Sequence, residues 1–494
     1  MKKYEEYRES CNILKIDDVA CDINGSICIE KNYRIFFELQ NLTREQLLIL
    51  EDENARYLYA KADDNYITAT TSHVQHSRYK HNAENSELVT ISARIEAENV
   101  FFGNEFIEVD KEGDIYIEGF TCKVTDGNEL IGITPYENLE DEISINTEGI
   151  FKVSAKFKTL GETDGLSFFT YPHIYREETE IRLGYQSVIQ YQCEASVSLD
   201  NINDKLHNIL LLLEILSGEY VSTTSVTLFH KTKSYDYLGN CNYPKYDLLL
   251  FENNTFDTRY YLRKALFKIS DFKDINKLYK EWENIIQKNK LAFVSYRELL
   301  LDEEMKIFSA NKFLKVMQII EGIEREDVSD EAKNEFDQSK EKIIEMLTED
   351  GDKEFIRQWC IYNNGDNFRK CLKRFTYFGL KTLSGLSNNQ CEKYSKNIIN
   401  SIKNDRDTYT HASHYSYPIL NDDKLSDIVY IFKVFIRLKI LIILGIDKEL
   451  IRRRLSFDRS FVGHYQNLFG LKIENDYKNF SDTGEFDDFM WRFC

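Results

Sequence analysis

Near residue 271 the spacing of apolar residues changes from short alternating runs to a helical repeat, and no single fold class accommodates both halves. Up to about residue 194 the apolar runs are brief and punctuated by turn residues. Asn24-Gly25 separates 19–23 from 27–29, and Asp126-Gly127 separates 120–124 from 130–133. Lys111-Glu112-Gly113-Asp114 separates 106–109 from 115–117, and Asp164-Gly165 precedes 166–170. Such spacing predicts strands joined by hairpins in a sandwich or barrel. Residues 202–216 interrupt this text with one helix, Leu206, Ile209, Leu210, Leu213 and Leu216 sharing a face and Ser217-Gly218 closing it. Residues 219–270 return to strand-like runs, among them 221–228 and 246–251. From Asp271 the repeat predicts helices over 272–288, 292–305, 307–325, 329–348, 353–362, 366–383, 388–407, 423–445 and 447–456. The expected architecture is α+β and multidomain: a β-rich sandwich or barrel-like domain with a helix over 1–270, then an all-α bundle over 271–494.

Only four prolines and 21 glycines in 494 residues, with 42% hydrophobic residues, exclude a disordered or collagen-like chain. No apolar stretch follows the start MKKYEEYRESCN, so a cytoplasmic protein is expected. The most apolar segment, 428–446, is broken by Lys433, Arg437 and Lys439, which predicts a buried core helix and no membrane partner. The ten cysteines occur singly with no CxxC pair, the pattern of buried reduced thiols and not of a zinc ribbon or redox dithiol. No metal site or cofactor is expected.

A net charge of −20 argues against a nucleic-acid partner until its distribution is read. Residues 1–270 carry −18 and residues 271–494 only −2, while 353–460 carry +9. Local field decides where a phosphate backbone docks.

The helix over 388–407 has an apolar stripe of Cys391, Tyr394, Ile398, Ile399 and Ile402, and four residues on this stripe meets Arg406. A guanidinium there needs either a carboxylate partner or an opening onto an anion site. Asp407 follows, and His411 lies four residues beyond it, so the two share a face if the helix persists. Thr408, Thr410 and 413–418 suggest fraying at this end. Arginine with histidine suits metal-free RNA cleavage: the imidazole moves the proton and the guanidinium fork stabilises the phosphate charge. A second Arg-x4-His, Arg459 with His464, lacks the acidic neighbour. Arg452, Arg453 and Arg454 are either helix-end cations on a solvated face or RNA-backbone contacts. Lys433 and Arg437, four apart, either line the cleft or reach solvent by snorkelling. His73, His76 and His81, with Arg78 and Lys80, are read as a solvated polar loop or a phosphate contact, since metal ligation would need a further carboxylate or thiolate.

Arg406-Asp407-Thr408-Tyr409-Thr410-His411 resembles the HEPN signature of an Arg, a polar residue and a His, in the wording of the Apea-like branch. The segment 313–321, FLKVMQIIE, is similar to that branch's FLxxxQxxE helix. The order, a β-rich half followed by a helical half, resembles ApeA-type bacterial antiphage proteins, although Asp407 stands where Asn is more usual. The resemblance implies a metal-independent endoribonuclease acting on RNA, tRNA among the candidates, with sites formed where two protomers of a homodimer meet. Carried over by position, Arg406 and His411 are catalytic, Asp407 and Tyr409 support them, and Glu321 is structural. The β-rich half would sense an unidentified phage-derived trigger or restrain the nuclease. The alternative is a non-catalytic dimerising protein on a degenerate HEPN scaffold. A further alternative makes the β-rich half a carbohydrate or capsid binder.

Overall fold

A computed structural model describes residues 7–30, 34–50, 57–81, 88–110, 113–133, 143–145, 151–153, 158–160, 165–176, 181–230, 235–237, 240–242, 245–249, 265–304, 309–325, 330–359, 367–411 and 418–473. The chain forms two compact units, Met1–Glu281 and Trp282–Cys494.

In the first unit, β1 (Tyr7–Ile16), β2 (Val19–Ile29), β3 (Ile35–Leu42), helix α1 (Arg44–Leu50), β4 (Tyr57–Ala62), β5 (Asn65–His81) and β6 (Leu88–Gly103) come first. They hydrogen-bond in the order β6-β3-β2-β1-β4-β5, and β5 also pairs with β6, so the six strands close on themselves as a barrel. Closure removes the unpaired edges that an open sheet would present. Alternate residues point inward, and the interior holds Ile13, Ile27, Phe37, Leu58 and Ile67 together with the small Ala60, Ala69 and Ala93. Leu47 and Leu50 of α1 join the same core.

The long β6 also carries a second set of strands. β7 (Tyr116–Val124), a short α2 (Gly127–Ile131), β8 (Lys158–Leu160), β9 (Gly165–Arg176) and β10 (Ile181–Ser198) precede α3 (Leu199–Ser217), and β11 (Thr223–Phe229) and β12 (Lys245–Leu249) follow it. Their order outward from β6 is β12-β11-β7-β10-β9-β8. The predicted face of α3, from Leu206 to Leu216, is buried, and the helix ends at Gly218 in the left-handed region, φ 77°. Two expected hairpins are absent. β2 runs unbroken through Asn24-Gly25, and the turn falls instead at Asp17, φ 44°. Gly25 is needed for a close approach: a Cβ there would lie 2.7 Å from Leu39 Cδ2 and 3.0 Å from the Glu38 carbonyl. After Asp126, φ 52°, the chain enters α2 and not a return strand. The histidines at 73, 76 and 81 belong to strand β5 and not to a loop; their side chains lie outside the described residues.

The helical elements are α4 (Ile275–Glu304), α5 (Ser309–Glu324), α6 (Asp330–Met346), α7 (Asp350–Trp359), α8 (Phe368–Ser384), α9 (Asn388–His411), α10 (Asp422–Ile443), α11 (Lys448–Phe457) and α12 (Arg459–Phe469). The two helices expected over 272–288 and 292–305 meet within α4 at a kink, where Asn289 has non-helical φ −130° and ψ 30°. The unexpected α12 follows α11 after a single residue, Asp458, whose carboxylate caps it by accepting from the Ser460 and Phe461 amides.

Helix α10 is the centre of the helical unit, buried from Leu425 to Leu441 on nearly every face. Among the described residues no helix is long and apolar enough to cross a membrane. Phe375, Phe432, Phe435, Tyr465 and Phe469 form its aromatic core. Gly379 of α8 lies against Phe435 so closely that a Cβ would come within 2.1–2.5 Å of the ring. Gly379→Ala is therefore expected to destabilise the unit by about 1–3 kcal/mol through overpacking. That outcome opposes the gain of up to about 1 kcal/mol from helix propensity alone. The denaturant midpoint measured at constant slope decides the sign.

Candidate functional site

Arg406 sits near the C-terminal end of α9, and the helix continues regularly to His411. The expected fraying before His411 does not occur, so Asp407 and His411 keep their four-residue helical spacing. The His411 side chain lies outside the described residues. Extending the stripe by three residues and not four gives the position that is buried: Asp405 is 0% exposed, while the Arg406 side chain is 26% exposed at the edge. The helix thus turns its anion inward and leaves its cation at the margin.

Three elements hold the Arg406 guanidinium. Its Nη2 is 3.4 Å from Glu321 Oε2 on α5, and its Nη1 is 3.2 Å from Asp407 Oδ1. Its central carbon lies 5.0 Å from the centre of the Phe368 ring on α8, a cation–π distance. Both polar contacts are long for charge-assisted hydrogen bonds, which close at about 2.7–2.9 Å. Neither carboxylate belongs to Arg406 alone. Glu321 also accepts from Arg325 Nη2 at 2.9 Å, and Asp407 lies 3.6 Å from Lys403 Nζ. Glu321 is thereby placed against the signature arginine.

Tyr409 packs edge-on against Phe313 of α5, ring centres 6.1 Å apart. Burial, then the nearby Asp405 and Asp422, raise its pKa above the ordinary phenol value, so it keeps its proton at neutral pH. It is suited to hydrogen bonding and not to accepting a proton as phenolate. Asp405 accepts hydrogen bonds from the Ile419 and Leu420 amides, each at 2.8 Å, and so pins the chain beyond His411 back onto α9. Asn421 then caps α10 by accepting from the Lys424 amide at 3.0 Å. Sequence reasoning missed Asp405, although its place three residues after Ile402 marks it.

The other candidates go elsewhere. Lys433 and Arg437 are buried, 8% and 6% exposed, and Lys433 Nζ lies 2.5 Å from Glu303 Oε2. Their burial in α10 corrects the expectation that they line a cleft or snorkel to solvent. Arg452 lies on α11, 3.7 Å from Glu449 on the same helix, Arg453 is exposed and Arg454 is half-buried. The second Arg-x4-His is parted by its fold: Arg459 opens α12, exposed, while His464 Nδ1 meets Asp427 Oδ1 at 2.6 Å and its ring lies over Tyr430. Among the described residues no cluster of His, Cys, Asp or Glu could hold a metal ion. Burial raises the thiol pKa of Cys11 to about 12 and pushes those of Cys122 and Cys391 up as well, as inert core thiols require.

Residues 17–282 match the family ApeA N-terminal domain 1, and residues 314–450 match Apea-like HEPN. No curated protein and no solved structure matches the chain. The second match contains Glu321 and the whole of Arg406–His411 and ends before Arg459 and His464.

Proposed function

The chain belongs to the ApeA family, with an Apea-like HEPN domain after its β-rich half, and from that premise we propose that it is a metal-independent endoribonuclease of bacterial antiphage defence. The observation that carries this reading is Arg406, held at a half-open edge by carboxylates that each have a second cation. An RNA phosphate can displace these long contacts without leaving either carboxylate unpaired. Glu321 keeps Arg325, and Asp407 keeps Lys403.

In the proposed reaction the ribose 2′-oxygen attacks the adjacent phosphorus and the bond from phosphorus to the 5′-oxygen breaks. The 2′-hydroxyl gives up its proton and the leaving 5′-oxygen takes one. His411 serves this proton transfer, and the Arg406 fork stabilises the charge that builds on the phosphoryl oxygens. The products are a 2′,3′-cyclic phosphate and a 5′-hydroxyl. The proposal includes a homodimer, RNA with tRNA among the candidate substrates, and a trigger sensed by the β-rich half. The dimer rests on the family resemblance, since α10 is buried within the chain on nearly every face.

One observation favours a second reading, a non-catalytic scaffold: Arg406 has carboxylate partners and so has a structural use. A single assay separates the two. The full chain, incubated with RNA and with DNA of the same sequence in EDTA, is expected to cut the RNA and leave the DNA, which lacks the 2′-hydroxyl. Cleavage that stops in EDTA and returns with Mg²⁺ would end the proposed chemistry, and no cleavage under any condition would favour the scaffold.

A further inference from the structure

Helix α8 carries Arg369, Lys370, Lys373, Arg374 and Lys381 and no carboxylate. It runs antiparallel to α9. Near one end Arg369 Nη2 donates to Asn400 Oδ1 at 3.0 Å, and towards the other Tyr377 bonds Glu392. These two contacts fix the register: Lys373 lies midway between 369 and 377, and Lys396 midway between 392 and 400, so the two lysines fall at the same level on either side of the seam. Arg369, Lys373, Lys396 and Lys403 are all exposed. Among the described residues of α8 and α9, Glu392 is the carboxylate beside them away from the Arg406 end, and Lys373 Nζ lies 2.6 Å from it.

The seam also leads to the candidate site. Phe368, next to Arg369, is the ring under the Arg406 guanidinium, and Lys403 lies one turn before Arg406 on α9. From Lys396 to Arg406 is ten residues, about 15 Å of helix.

We propose that the α8–α9 seam, through Arg369, Lys373 and Lys396, is the track that holds the sugar–phosphate backbone of the RNA and delivers it to Arg406. The inference rests on the ribonuclease reading above. It assigns the backbone contacts to this seam, which leads to Arg406 through Phe368, and not to the basic run of α11. Contacts to phosphate alone carry no preference for a particular base. Nor do they separate RNA from DNA, so the track binds single-stranded DNA that the site does not cut.

The test is fluorescence anisotropy on the full chain with two labelled probes that resist 2′-hydroxyl attack: a 2′-O-methyl RNA and the matching single-stranded DNA. Each is titrated across a range of salt, beside steady-state cleavage of the unmodified RNA. The triple variant Arg369→Gln, Lys373→Gln, Lys396→Gln is expected to bind both probes at least tenfold more weakly. Its slope of log affinity against log salt should be shallower by about 2, three contacts at ~0.7 each for a single strand. Its KM should rise while kcat holds, as for lost uniform binding. Lys396→Glu alone gives a second, less invasive reading in the same direction. Unchanged affinity and slope in both variants, with wild-type cleavage intact, would overturn the track and leave the ribonuclease reading standing. The same loss appearing instead in Arg452→Gln, Arg453→Gln would move the track to α11 and overturn the proposal. A wild-type chain that binds neither probe and cuts no RNA would remove the reading on which the track rests.

Discussion

His411→Ala is expected to slow RNA cleavage by roughly 10²–10⁴-fold, the usual worth of a positioned proton-transfer group. Arg406→Ala is expected to cost about 10²–10³-fold, the order found on removing one donor from developing transition-state charge. Neither loss should reflect unfolding. His411 is the last residue of α9, and removing the Arg406 guanidinium leaves Glu321 with Arg325 and Asp407 with Lys403. Arg406→Lys should recover little, because an ammonium cannot reproduce the planar fork that meets two phosphoryl oxygens. His464→Ala is the paired control: its imidazole is committed to Asp427 and Tyr430, and it should keep activity. The readout is the single-turnover rate at saturating RNA, with the thermal midpoint of each variant measured alongside. Full activity in His411→Ala would sink the assignment of the acid–base role, and activity lost only in His464→Ala would transfer it to α12.

Much of this arrangement is legible in the chain because it depends on local rules. The helical repeat beginning near 271, the α3 stripe and the break at 289 follow from side-chain spacing, and each has its counterpart in the structure. The closed barrel is not legible, because closure depends on β5 pairing with β6, a choice made between strands and not within them. Asn24-Gly25 misleads for a related reason. A glycine needed for a turn and a glycine needed for close strand packing look the same until Leu39 is seen beside it. At the site, the helical repeat finds the turn that holds Arg406, but it cannot decide between an interval of three and one of four. The difference moves the buried position from Arg406 to Asp405. The burial of Lys433 is not legible, because sequence shows charge without partner. Glu303, 130 residues before Lys433, is what makes that burial tolerable.

Asp405→Ala is expected to destabilise the helical unit by about 3–5 kcal/mol, more than any exposed substitution considered above. Asp405 is 0% exposed and accepts from the Ile419 and Leu420 amides at 2.8 Å each. Hydrogen bonds to a charged group are worth about 1.5–3 kcal/mol apiece, and alanine leaves both donors without this acceptor. The consequence reaches function because of where the two amides lie. They hold the chain 14 and 15 residues beyond Asp405 against the turn of α9 that carries Arg406. Loss of that anchor should lower cleavage as well as stability even at temperatures where the variant is folded. Asp405→Asn separates charge from geometry: one amide keeps a carbonyl acceptor while the other faces an NH₂ donor, so it should fall between wild type and alanine. Urea denaturation gives the stability difference, and hydrogen exchange of the Ile419 and Leu420 amides reports the anchor directly. Alanine within about 0.5 kcal/mol of wild type, the range of a substitution touching no special feature, with exchange at both amides unchanged, would show that Asp405 does not hold this end of the site.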